Sequence, residues 1–345
     1  MMRRFAWILL FGILFASAPS LAAADTEDSS GNDTITWSVR PANDEAADGR
    51  SWVEQTLEPG ESATERMEVQ NFGDQDVTFT ISAADGYFRD NGRFAMLETG
   101  EQSVDAGTWI DVQDEVTVAA GDSEIVEFTT TVPDNATPGD HAAGIAASVL
   151  SQGVDESGAA VGVESRIGFR VMTRVTGEMD PAAVIESVTM NYEMSWNPLS
   201  PGDAEVSFDV ENAGNTRLMV TGSVDAGGAT VSFPGADQID QELLPGDRRA
   251  ITVRVENVWP LFFVPAEVEI TPAVVGDGEG TPVDAVRVDA GTWAIPIPQL
   301  IVLAGLVLIV GSIAWGRIRA KRRLAALLAA ARDEGRREVA EGGGA

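Results

Sequence analysis

The sequence predicts an all-β chain, two antiparallel β-sandwiches followed by one C-terminal transmembrane helix. Three observations carry this. Short runs with apolar residues at every second position recur from Ile35 to Val175 and resume around Val210 and Ile251. Helical periodicity is nearly absent over the same region. One uncharged stretch close to the C-terminus is long enough to cross a hydrocarbon core of about 30 Å.

Taken in order, residues 1–24 read as a signal peptide. Arg3 and Arg4 form a positive start, Phe5 to Ala16 a short apolar run, and Ala22-Ala23-Ala24 a small-residue cleavage pattern. Residues 25–33 are polar and acidic and are expected to be a flexible lead-in. The first sandwich is expected over 34–177. Ile35-Trp37-Val39, Met67-Val69, Val77-Phe79-Ile81, Val116-Val118 and Ile125 to Val132 alternate apolar and polar positions, as half-buried antiparallel strands do. Ile167, Phe169, Val171 and Val175 alternate with Arg166, Arg170 and Arg174. Pro181 breaks the pattern, which puts the domain junction near Gly177 to Pro181.

The second sandwich is expected over 178–292, supported by a loose internal repeat. Glu58-Pro59-Gly60-Glu61 precedes Val69-Gln70-Asn71-Phe72-Gly73-Asp74. Ser200-Pro201-Gly202-Asp203 precedes Val210-Glu211-Asn212-Ala213-Gly214-Asn215, and Leu244-Pro245-Gly246-Asp247 precedes a third strand. Pro-Gly supplies tight turns, and Asn with Gly is expected to tolerate positive φ at hairpin tips. Asp90-Asn91-Gly92-Arg93 is another hairpin signal, between Tyr87-Phe88 and Phe94-Met96. Val-Asp-Ala-Gly-Thr-Trp occurs twice, at 104–109 and 288–293, a coincidence in an Ala/Asp/Gly-rich chain.

The transmembrane helix is expected over 296–315, with Trp293 and Trp315 near its ends, where interfacial indoles belong. Arg317, Arg319, Lys321, Arg322 and Arg323 follow at once. The positive-inside rule makes 316–345 a basic cytoplasmic tail and puts the sandwiches outside. That tail has helix-forming composition, and Gly342 to Gly344 are expected to be disordered.

The net charge of −31 falls mostly on the region before the helix, which holds thirteen arginines after the signal segment and no lysine. Such a surface repels phosphate backbones, so nucleic acid is excluded as a partner. It suits solubility in salt, or cationic ligands. The chain has no cysteine, which removes disulfides, thiol chemistry and Cys-based zinc sites.

No catalytic motif is present and no cofactor is called for. His141 is the one histidine, and Gly-x-Ser-x-Gly, phosphate-loop and HExxH patterns are missing. Asp85 to Asp90 and Asp134 to Asp140 lack EF-hand spacing and read as turns. Trp37, Trp52, Tyr87, Phe88 and Trp109 are aromatics near turns or strand ends. They either stack on sugar rings or fill the cores. The arginine row at 166, 170 and 174 either pairs with carboxylates on neighbouring strands or, unpaired, receives an acidic polymer. Trp37, Arg40, Tyr87, Phe88, Trp109, His141, Arg166 and Arg170 are therefore the candidate ligand contacts.

Several phrases resemble the bacterial WxL-interacting proteins: Ile35-Thr36-Trp37-Ser38-Val39-Arg40-Pro41, Leu57-Glu58-Pro59-Gly60, Val69-Gln70-Asn71, Ala106-Gly107-Thr108-Trp109-Ile110, and Pro138-Gly139-Asp140-His141-Ala142-Ala143-Gly144-Ile145. The resemblance covers Ile35 to about Val175, and more weakly the second sandwich. It implies two Ig-like antiparallel β-sandwiches outside a membrane anchor. It also implies a first domain that associates with peptidoglycan and a second that binds WxL-domain or other surface proteins. The leading expectation is thus a non-catalytic cell-envelope protein, held to the lipid bilayer through 296–315. A membrane-tethered assembly factor or chaperone for secreted proteins, and a glycan hydrolase on a β scaffold, stay open as alternatives.

Overall fold

The computed structural model describes residues 35–154, 160–236, 238, 241–276 and 283–342. The expected signal peptide and lead-in, and the last residues of the glycine-rich end, lie outside them.

Ten strands build the first sandwich. They are β1 (Trp37–Ala42), β2 (Val53–Leu57), β3 (Ser62–Asn71), β4 (Val77–Phe88) and β5 (Phe94–Met96), then β6 (Ile110–Val112), β7 (Glu115–Val118), β8 (Ser123–Thr131), β9 (Gly139–Val154) and β10 (Ala160–Val175). One sheet has the order β1-β3-β8-β6. The other has β2-β10-β9-β4-β5, with β7 beside β4. Their inner faces meet through Trp37 on Phe79 at 5.6 Å and Phe128 on Phe169 at 6.3 Å between ring centroids. Period-two alternation puts Val39, Met67, Val69, Ile81, Val126 and Val171 into the same core. One pairing departs from the antiparallel pattern: β2 runs parallel to β10, from Val53↔Val171 to Leu57↔Val175. The chain leaves β1 in one sheet and crosses through 43–52 to the other, so it enters the edge in the same direction as β10.

Eight strands build the second sandwich. They are β11 (Ala183–Glu193), β12 (Gly202–Asn212), β13 (Leu218–Ala226), β14 (Ala229–Phe233), β15 (Gln241–Leu243), β16 (Arg248–Val258), β17 (Phe262–Val274) and β18 (Val286–Ala294). The order is β11-β12-β16 in one sheet and β14-β13-β17-β18 in the other, with β15 on β13. In β12 buried and half-buried positions alternate without a break, sending Ala204, Val206, Phe208 and Val210 inward. They pack on Leu218, Val220, Val224, Val268 and Ile270 of the facing sheet.

The repeated phrases have a structural meaning that differs from the expected one. Gly60, Gly92 and Gly246 do adopt positive φ at tight turns. Asn71 and Asn212 do not; each is a fully buried clamp. Asn71 Nδ2 donates to the Gln75 carbonyl at 2.7 Å, and its Oδ1 accepts from the Gly73 N–H at 2.9 Å. Asn212 Nδ2 donates to Thr216 O at 2.7 Å and Leu243 O at 3.0 Å, and Gly214 N–H returns a bond at 3.1 Å. The amide closes a loop whose own backbone groups would be buried without partners.

A single helix, α1 (Ile297–Gly342), follows β18 almost at once and runs for 46 residues. Its first part has mean hydropathy 2.4, is exposed, and is long and apolar enough to cross a membrane. The expected boundary at 315/316 is not a structural break. The Ala-, Leu- and Arg-rich tail has no proline and continues the same helix.

Replacing Asn212 by Ala strands two buried carbonyls. We expect a loss of about 2–3 kcal/mol in denaturant unfolding, with Asn71→Ala close behind.

Candidate functional site

The β4–β5 hairpin folds over the outer face of β9 and β10, and small residues beneath it make this possible. A Cβ on Gly86 would come within 2.5 Å of the Phe94 ring, and one on Gly144 within 2.9 Å of Met96. Phe88 and Phe94 meet edge to face at 5.8 Å. Arg166 donates to Leu97 O at 2.9 Å and Met96 O at 3.4 Å, which holds the hairpin's return strand down.

The result is a groove with two connected parts. One, of about 390 Å³, is lined by Arg89, Asn91, Arg93, Phe94, Met96 and Arg166. The other, of about 490 Å³, shares Phe94 and continues past Trp52, Phe88 and Arg170 to Met219 and Glu242 of the second sandwich. Arg170 lies 4.3 Å over the Trp52 ring.

Nine of the thirteen arginines are engaged in ion pairs: 40, 50, 66, 170, 174, 217, 248, 254 and 287. Arg166 is held by carbonyls, and Arg249 is buried. Arg89 and Arg93 are exposed at the hairpin tip, and neither has an acidic partner among the described residues. In a chain of net charge −31 they are the guanidiniums left over for something else.

A second cluster joins the sandwiches. Arg174 grips Asp140 with two bonds, 2.8 Å and 2.7 Å, and also donates to Val275 O at 2.7 Å. The Arg217 backbone N–H donates to Asp140 at 2.6 Å. Its guanidinium reaches Glu242 at 3.1 Å and Glu54 at 2.8 Å. Arg170 closes the chain on Glu242 at 3.0 Å. Asn215, from the second repeated phrase, adds Nδ2 bonds to Pro138 O and Glu178 O, and its carbonyl accepts from Asp140 N–H.

The third cluster is local. The Asp85 carboxylate accepts the N–H groups of Val104, Asp105 and Gly107, fixing a 3-10 turn at Ala106–Trp109. That turn presents Asp105 to His141 Nδ1 at 2.8 Å, while Nε2 faces Thr137 O at 2.9 Å. Trp109 covers the ring at 4.7 Å. Both ring nitrogens face acceptors, so the imidazolium is the form the site satisfies. Burial alone would push its pKa down. The hydrogen bonds to Asp105 and Thr137 and the charges of Asp105 and Asp140 outweigh it, and the pKa is raised.

The eight candidate contacts therefore separate. Phe88, Arg166 and Arg170 line the groove, with Tyr87 beside Phe88 in the hairpin. Trp37 and Trp109 are buried and present no free ring face. Arg40 lies on the opposite sheet, paired with Glu68 at 2.9 Å. His141 belongs to the latch on the 3-10 turn. Arg89, Arg93, Phe94 and Glu242 were not singled out by the sequence. Two arginines flanking Asp-Asn-Gly in an acidic chain were the available signal for the first pair. Among the described residues no group of three His, Asp or Glu is placed to hold a metal ion.

Residues 39–148 match the family described as WxL Interacting Protein, peptidoglycan binding domain. No curated protein matches the chain. Among solved structures, the chain is similar to the class 5 fimbriae chaperone CfaA, at 11% identity over 73% of this chain and 98% of that one, TM-score 0.35. It is similar to the CsuC–CsuE chaperone-tip adhesion subunit pre-assembly complex of Acinetobacter baumannii, at 11% over 74% and 97%, TM-score 0.36. The E. coli chaperone DraB gives 11% over 74% and 98%, TM-score 0.32. At these TM-scores the likeness carries no argument about function.

Removing Asp140 takes the carboxylate from the buried Arg174 guanidinium and strands the buried Arg217 N–H. Asp140→Ala should cost about 3–5 kcal/mol in denaturant unfolding, whereas loss of the exposed Arg248 should barely move the midpoint. His141 makes the opposite kind of test. Its folded pKa lies above the unfolded value near 6.5. Its contribution is therefore complete below that value and is lost as pH rises through the folded pKa. His141→Gln should flatten that part of the stability–pH curve.

Proposed function

We propose that this chain, a member of the WxL-interacting protein family, is a membrane-anchored, non-catalytic wall-binding protein whose first sandwich takes peptidoglycan into the groove under the β4–β5 hairpin. The observation that carries the reading is the pair Arg89 and Arg93, exposed and without acidic partners among the described residues, above a cavity floored by Phe94 and Met96. Stem peptides of the wall carry carboxylates, and guanidinium forks match them in charge and shape. The aromatic wall of Phe94, Phe88 and Trp52 suits the apolar faces of sugar rings. The groove thus favours the carboxylates of the wall over its amines, although the surface as a whole is acidic.

The family match to a peptidoglycan binding domain over 39–148 supports this reading, since it covers Arg89, Arg93 and the whole hairpin. Helix α1 confines the sandwiches to the membrane surface, and confinement raises the effective concentration of weak wall contacts. The arginine-rich run after the apolar span favours the orientation with sandwiches outside and tail inside. In this arrangement the second sandwich presents surface to WxL-domain or other envelope proteins.

Sedimentation with purified insoluble peptidoglycan tests the reading. The full-length chain in mild detergent should pellet with the wall. Arg89→Glu combined with Arg93→Glu should lower retention roughly tenfold or more, on the scale of lost charge-assisted bonds. Both side chains are exposed, so the fold should be spared. Wild-type retention no greater than that of an unrelated sandwich rejects wall binding. Unchanged retention of the double variant rejects this groove.

A further inference from the structure

The second sandwich has two ends with opposite character. Asn212, Leu218 and Val274 mark the end turned to the first sandwich, where Asp140 meets Arg217. At the other end the register pairs Glu193 with Asp203, Gly202 with Val258, and Phe262 with Ala294. This pairing gathers the β11–β12 loop, the β16–β17 loop and the link from β18 to α1 at one place.

That end is apolar and exposed. Trp196 is 73% exposed, Leu199 84%, Leu261 67% and Trp293 73%; Trp259 and Phe262 are half open. Residues 194–202, 259–266 and 290–316 contain no charged side chain, although 22% of the chain is charged. Phe262 stands at φ +69°, a conformation a bulky side chain adopts at a cost and that Gly or Asn would take more easily. A loop meant only for water would not place these residues together.

What covers the patch is indicated by what it adjoins. Three residues separate Trp293 from α1, and its ring meets Phe263 edge to face at 5.8 Å. Gln299, in the first turn of α1, donates from Nε2 to Pro198 O at 3.2 Å, tying the β11–β12 loop to the start of the apolar span. The loops therefore stand at the depth where that span enters the lipid. Indoles and large apolar side chains are stable at that level, with ring edges in the headgroup layer and apolar faces toward the acyl chains.

We infer that this end of the second sandwich is a membrane-seated collar, with Trp196, Leu199, Trp259, Leu261, Phe262 and Trp293 embedded in the lipid interface around the top of α1. The inference rests on α1 spanning the bilayer. The occupant is the lipid itself rather than a protein. The collar anchors the sandwich at two further points besides the covalent link, so it stands at a set angle to the membrane instead of swinging on residues 295 and 296.

The absence of cysteine allows a direct test on the full chain. Single variants Leu199→Cys, Leu261→Cys, Phe72→Cys and Val307→Cys would carry a polarity-sensitive thiol dye. Each would be reconstituted in phosphatidylcholine vesicles containing nitroxide lipids labelled either near the headgroup or deep in the acyl chain. The collar predicts blue-shifted emission at 199 and 261, quenched more by the shallow nitroxide than by the deep one. The Phe72→Cys dye, on the first sandwich, should stay aqueous. Quenching of the Val307→Cys dye by the deep nitroxide, with 199 and 261 as unquenched as 72, overturns the collar, keeps the span and leaves the patch open to a protein. An unquenched Val307→Cys dye removes the span, and the collar with it.

Discussion

The buried ion chain at the junction is the constraint on which the relation between the two sandwiches depends. Arg170, Arg174 and Arg217 alternate with Glu242, Asp140 and Glu54, and the charges cancel. Taking ions of this size out of water costs several kcal/mol each unless every one finds its counter-ion. The partners come from both sandwiches, so the cost is met only in one relative placement. A hydrophobic junction would tolerate sliding; the directional bonds from Arg217 to Asp140 and Glu54 and from Arg170 to Glu242 do not. Asn215 and Gly139 tighten the same seam at backbone level. A Cβ at Gly139 would lie 2.2 Å from the Asn215 carbonyl oxygen.

This junction also completes the groove. Glu242 belongs to the second sandwich but holds Arg170 over Trp52, so the far wall of the groove is shaped by a residue from the other domain. The acidic character of the surface has a related consequence. Most guanidiniums are consumed by neighbouring carboxylates, so the few that are not acquire significance out of proportion to their number.

Much of this was legible in the sequence. Period-two alternation found the strands because side chains alternate across a pleat, and the uncharged apolar run found the start of the long helix α1. Local signals failed where long-range contacts decide. Val-Asp-Ala-Gly-Thr-Trp is the clearest case. At 104–109 Asp85 gathers its N–H groups into a 3-10 turn with Trp109 buried. At 288–293 the same residues lie in β18 with Trp293 exposed. Asp140 and Arg217 are 77 residues apart, and no spacing rule connects them. Asn71 and Asn212 had the right residue type, but the turn reading missed their burial. The apolar residues at 194–199 and 259–261 escaped notice because they break the alternation that drew attention elsewhere.

The unbroken helix has its own geometric consequence. Forty-six residues rise about 70 Å, and in the proposed membrane span the hydrocarbon layer takes only about 30 Å of that. Roughly 40 Å of arginine-studded rod is left beyond the lipid on the far side from the sandwiches. A rod transmits tilt where a floppy tail would not. Whatever sets the angle of the β domains on one face of the membrane is thereby converted into a sideways displacement of the rod's tip on the other.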